Sequence, residues 1–158
     1  MAKSLPFSMS AKRFIDEKYA FSVGIPEGWH HQQMDEKFIR FGGVLALESP
    51  DGKSSFNVSR GSPRQYENNW KEYVISTFKQ FMSQTKNPNN FHIFNEATLG
   101  SEQNVIRAEF TSKRWFRPSA RFGKVCALHN GVEYVIYYFF SEGSKTKIDL
   151  ILDSWEFR

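Results

Sequence analysis

The residues best placed to do chemistry in this sequence are five bases set among aromatics: Lys113, Arg114, Arg117, Arg121 and Lys124 around Trp115, Phe116 and Phe122. Guanidinium groups fork onto anionic oxygens, and aromatic faces accept bases or apolar side chains, so this pairing suits an acidic partner. No acid lies between Glu109 and Glu133. The segment SKRWFRPSARFGK, Ser112 to Lys124, carries +5 in a chain of net charge +4, which leaves −1 for everything else. Lys113, Arg114, Trp115, Arg117 and Arg121 are therefore the candidate partner-binding residues. Five charges in one connection make a small footprint for a nucleic acid, so an acidic protein is the first reading and nucleic acid the alternative. The competing reading is an exposed connection between strands whose aromatics turn inward.

Catalysis needs convergent groups, such as a nucleophile with a base in reach and an acid to orient it. The sequence shows no such motif. Cys126 sits among Val125, Ala127 and Val135 and reads as a small core residue. His30 and His31 are adjacent, so on an extended segment they point to opposite faces, and no further ligand joins them at metal spacing. His92 and His129 are isolated. Asp149, Asp153 and Glu156 read as a solvated helix face, and Gly42-Gly43 and Gly61-Ser62-Pro63 lack the spacing of a phosphate loop. No catalytic residue, metal or cofactor is expected, and the chain reads as a non-enzyme.

The elements that must carry these residues fit a chain of 158 residues, a length that suits one domain and buries about 68–70% of the surface its unfolded form would expose. A flexible tail is expected over 1–12 and a single domain over 13–158. Aromatics are 16% of the chain (16 Phe, 6 Tyr, 4 Trp), well above what a disordered chain carries. One cysteine allows no intrachain disulfide. The longest apolar run, Tyr134 to Phe140, is far short of the about 20 residues of a spanning helix, and the N-terminus lacks the apolar core of a secretory signal. A soluble cytoplasmic protein or a processed mature form is expected.

Alternation predicts strands over Tyr19–Ile25, Phe38–Phe41, Val44–Ser49, Ser54–Arg60, Phe91–Asn95 and Val105–Thr111, with Arg107, Glu109 and Thr111 facing water in the last. Ser49-Pro50-Asp51-Gly52 is a turn, and Asn87-Pro88-Asn89-Asn90 ends the preceding helix. That helix has Trp70, Tyr73, Val74, Thr77, Phe78, Phe81 and Met82 on one stripe, with its start at Ser62-Pro63 or capped by Asn68 or Asn69. Asn130-Gly131 predicts a two-residue hairpin with His129 opposite Val132, Cys126 opposite Val135, and Gly123 opposite Tyr138. Both faces of that hairpin are apolar, so layers are expected above and below it. Residues 145–155 predict a closing helix. If part of one sheet face stays uncovered, with Tyr134, Ile136, Tyr138 and Phe140 as one apolar row, it would be a docking or dimer surface.

Five pieces in chain order, YAFSVGIPEGW, VLALESPDGKSSFNVSRGS, WKEYVISTFKQF, HNGVEYVIYYFF and LILDSWEF, resemble the PsbP-like family across residues 14–158. The resemblance implies an α+β fold, an α/β/α sandwich around a central, mainly antiparallel sheet. The matching positions Pro26, Trp29, Pro50, Gly131, Tyr134 and Ser154 are structural and carry no functional residue over. Members of that family bind other proteins: photosynthetic ones dock on photosystem II, a nuclear transport factor binds the GTPase Ran, and Eag-type chaperones, among bacterial relatives that include DcrB, hold apolar segments of type VI secretion effectors. The resemblance thus implies an accessory protein that docks on or chaperones a protein partner, through a sheet face or through segment 112–124. A dimeric cytosolic Eag-type chaperone and a nucleic-acid binder are the alternatives.

Overall fold

Asn130 and Gly131 both take positive φ, 50° and 74°, the conformation a two-residue turn needs if its twist is to match the flanking strands. The computed structural model describes residues 9–18, 20–62, 69–114 and 117–158. Around that turn β8 (Arg117–His129) and β9 (Val132–Phe140) pair in the predicted register: His129 opposite Val132, Cys126 opposite Val135, Val125 opposite Ile136 and Gly123 opposite Tyr138. Gly123 is required by its partner, because a Cβ there would stand 2.0 Å from the Tyr138 ring.

Five more strands complete an antiparallel sheet in the order β3-β4-β5-β9-β8-β7-β6, with β3 His30–His31, β4 Gly43–Glu48, β5 Ser55–Gly61, β6 Pro88–Ile93 and β7 Val105–Arg114. A second sheet, β1-β2-β10, is built from Met9–Asp16, Phe21–Pro26 and Glu156–Phe157. Together with helix α3 (Lys145–Asp153) it covers one face of the large sheet. There Phe21 stacks on Trp155 at 4.4 Å, and Tyr134 meets both rings edge-on. Helix α2 (Trp70–Ser83) lies on the other face and buries Trp70, Val74 and Phe78 against Ile106, Cys126, Ala108 and Phe110. The result is the expected α+β sandwich around a mainly antiparallel sheet.

Several expectations are corrected. Residues 38–41 fall mostly in helix α1 (Glu36–Arg40): the Asp35 carboxylate caps it by accepting from the Phe38 N–H at 2.6 Å, and Gly42, φ 91°, ends it. The Asn87–Asn90 turn is already strand from Pro88 onward. Proline starts this edge strand where no N–H is needed, and Asn90, φ 55°, sits inside a bulge between Asn89 and His92. The Ser112–Lys124 connection is the end of a hairpin rather than a loop, since β7 runs to Arg114 and β8 begins at Arg117. The row Tyr134, Ile136, Tyr138 and Phe140 is fully covered and belongs to the core. Strands β1, β3 and β10 were not expected; β1 overlaps the expected tail over 9–12, and residues 1–8 lie outside the described residues. Helix α2 starts at Trp70 after Asn69, while residues 63–68 lie outside the described residues.

Candidate interaction surfaces

Pairing along β7 and β8 decides where the predicted basic residues go. Their backbones put Thr111 opposite Arg121, Ser112 opposite Ala120 and Arg114 opposite Arg117, so the bases gather toward one end of the hairpin. Lys113 is exposed there, and its N–H donates to the Asn87 carbonyl. Trp115 and Phe116 lie outside the described residues, as do the side chains of Arg114 and Arg117. Period two separates the rest. Arg121 faces the α3 side, beside Asn90, His92, Glu109 and Thr111, whereas Lys124 faces the α2 side. Phe122 turns inward on that same side, stacked on Phe110 at 5.3 Å.

Lys124 leads to a surface the sequence did not single out. Helix α2 packs mainly on β7 and β8, touching β6 through Phe91 and β9 through Val135 and Glu133. Beyond it the outward residues of β5 and β9, Asn57, Ser59, Val135 and Tyr137, floor an open groove of about 550 Å³ between Tyr73 and Thr77 of α2 and, on the other side, Phe38 of α1 and Phe41 at its C-terminal cap. The walls are aromatic and exposed: Phe41 is 60% and Tyr137 41% accessible. A five-residue helix is too short to close the face, and Phe38 anchors it by filling the space that a side chain at Gly43 would occupy, 2.3 Å from the ring. The Lys124 ammonium lies 3.4 Å from Thr77 Oγ1 and 5.2 Å from the centre of the Tyr137 ring. Glu133, the one carboxylate among the described lining residues, accepts from the Trp70 indole at 2.5 Å. Arg60, also at the rim, sends its guanidinium to the other face of the sheet, 5.9 Å from the Tyr134 ring.

The face of β7 expected to meet water is instead a buried polar network. Glu109 is 4% exposed, and its Oε2 accepts from the Tyr138 hydroxyl at 2.5 Å and from Arg107 Nη2 at 3.1 Å. Arg107 also donates to Asp149 Oδ1 on α3 at 2.9 Å and to Tyr138 at 3.0 Å, with its guanidinium 4.3 Å above the Phe94 ring. Burial, reinforced by Glu109, pushes the Tyr138 hydroxyl up, so it keeps its proton and serves as donor. The cluster fastens α3 to the sheet. Sequence offered one signal for it, a charged pair at Arg107 and Glu109 on a strand in register with an inward Tyr138.

Other predicted chemistry residues are dispersed. Burial pushes the Cys126 thiol up to about 12, and Val135 rather than a base stands opposite. His129 Nδ1 contacts Glu102 Oε1 at 3.1 Å while its ring stacks on Phe157 at 3.8 Å. His30 and His31 are exposed on β3. No group of three metal-ligating side chains occurs among the described residues, and none of the described helices is long and apolar enough to cross a membrane.

An α+β sandwich closed on one sheet face and half open on the other defines the class. No family model and no curated protein matches the sequence. Solved structures share its fold. CyanoP, the cyanobacterial PsbP of Synechocystis, aligns with TM-score 0.58 at 10% identity over 93% of this chain and 92% of its own. The Ran-binding protein Mog1p of Saccharomyces cerevisiae aligns with TM-score 0.58 at 10% identity over 95% and 96%. A Bacteroides thetaiotaomicron protein aligns with TM-score 0.61 at 12% identity over 93% of this chain, which spans 48% of that protein's length. The chain has the PsbP-like fold.

Proposed function

We propose that this protein is a non-enzymatic accessory protein that holds a protein partner on the half-covered face of its seven-stranded sheet. The observation that carries the reading is the groove between α1 and α2, where Phe41 and Tyr137 stay exposed over a strand floor that the two helices leave open. Exposed aromatics in a concave surface are what interface cores are made from. The Ran-binding Mog1p, built on the same fold, supports the reading by analogy of fold alone. The clustered titratable groups Arg107, Glu109 and Tyr138 satisfy one another inside the sandwich, and Cys126 is buried with its thiol pushed up, which favours binding over catalysis.

Affinity capture from the native host tests it with three forms of the chain: wild type, Phe41→Glu with Tyr137→Glu, and Lys113→Glu with Arg114→Glu. One protein is expected with wild type and with the hairpin variant, and lost with the groove variant at an unchanged melting temperature. Equal recovery by all three contradicts the reading.

The basic end of the β7–β8 hairpin is a second surface, favoured by the pairing of Arg114 with Arg117 across its tip. It suits an acidic protein or a single-stranded nucleic acid. Loss of the partner from the hairpin variant alone, with a steep fall in affinity as salt rises, would select it.

A further inference from the structure

The groove has a charge as well as a shape. Lys124 is half-buried at its floor and carries three ammonium donors, of which Thr77 Oγ1 takes one at 3.4 Å. No carboxylate among the described residues stands in ion-pair range of it. Glu133, the one carboxylate among the described residues lining the groove, already accepts from the Trp70 indole. A half-buried ammonium is incompletely solvated, so an occupant that brings an anion gains more here than at an open surface. The Tyr137 ring lies 5.2 Å from that position, and Phe38, Phe41 and Tyr73 line the same groove, so the groups beside the anion meet aromatic surface.

We infer that the groove takes a segment of the partner polypeptide in which an Asp or Glu side chain lies between apolar residues, the carboxylate on Lys124 and its neighbours against Tyr137, Tyr73 and Phe41. One ammonium with one hydroxyl beside it matches a single carboxylate; a phosphate site needs more converging donors. The groove lies over strand faces rather than along a sheet edge, so side chains and not main-chain pairing read the segment. The inference rests on the docking reading above and adds the chemistry of what docks.

Selection of random displayed peptides on the immobilised full chain is the test. Groove binders are identified by loss of binding to Phe41→Glu, and their affinities are measured against Lys124→Gln and Lys124→Glu. The expected peptides share one acidic residue between apolar ones and weaken about tenfold or more with Lys124→Gln. Lys124→Glu abolishes their binding, and a peptide with Lys in place of the acid restores it. Groove-dependent peptides without an acid overturn the inference and leave docking intact; no groove-dependent peptide at all overturns both. Melting curves of Lys124→Gln that match wild type separate loss of contact from loss of fold.

Discussion

Arg107, Glu109, Tyr138 and Asp149 form a chain of charge-assisted hydrogen bonds between β7, β9 and α3, and its members are unequally buried. Arg107 and Glu109 side chains are 18% and 5% exposed, Asp149 is 41% exposed. Removing one partner of a buried charge leaves the other unpaired, so Arg107→Ala is expected to cost about 3–5 kcal/mol in urea unfolding. Asp149→Asn, screened by water, should cost under about 1 kcal/mol. Tyr138→Phe removes the donor to Glu109 and should cost about 1–3 kcal/mol. Similar small losses for Arg107→Ala and Asp149→Asn would show that the network does not fasten α3. Glu102 gives a pH signature. Burial opposes its charge, but the N–H groups of Asn104 and Gln103 and the His129 ring hold its carboxyl below the ordinary 4.5. A lowered folded value stabilises above the unfolded one, and that contribution disappears as pH falls through the folded value. Glu102→Gln should therefore lower stability near neutrality and flatten the acid limb, its cost fading as pH falls below about 4.5, as followed by thermal melts across pH. Cys126, buried with its thiol pushed up to about 12, should resist alkylation in the native protein and react only on unfolding.

At the scale of elements, the β8–β9 hairpin rests on two backbone requirements. Gly131 has φ 74°, where a side chain strains the chain, so Gly131→Ala should cost about 1–2 kcal/mol. Gly123→Ala drives a methyl into Tyr138 and should cost about 1–3 kcal/mol, with the near-UV signal of the buried ring altered. That hairpin was fully legible in the sequence, because Asn-Gly sets both turn and register. The α2 stripe was legible because burial of Trp70, Val74 and Phe78 follows its helical spacing. Helix α1 was read as a strand, although Asp35 and Gly42 mark both its ends; alternation over Phe38–Phe41 is too short to separate the two periods. Strand β10 takes its identity from a partner distant in sequence, Phe157 standing opposite Phe21 of β2, and the two residues of β3 are too few to show a period. Of the site, the basic residues were visible, but Lys124 gained its meaning only when pairing sent it to the α2 face. The groove itself was invisible, since it comes from a length mismatch between α2, α1 and the seven strands.

For the molecule as a whole, the asymmetry of its two sheet faces is the central feature. Sheet β1-β2-β10 and α3 close one face over a continuous core, whereas α2 and the short α1 leave β5 and β9 open on the other. Charge follows the same division along β8, with Arg121 toward the closed side and Lys124 toward the open one. A photo-reactive phenylalanine analogue placed at Tyr137 on the open face, or at the exposed Thr146 of α3 on the closed side, reads this asymmetry directly in the native host. Cross-linking of one protein partner from Tyr137 and not from Thr146, suppressed by Phe41→Glu, is the predicted result. The same products from both positions, or none from Tyr137, would contradict the account.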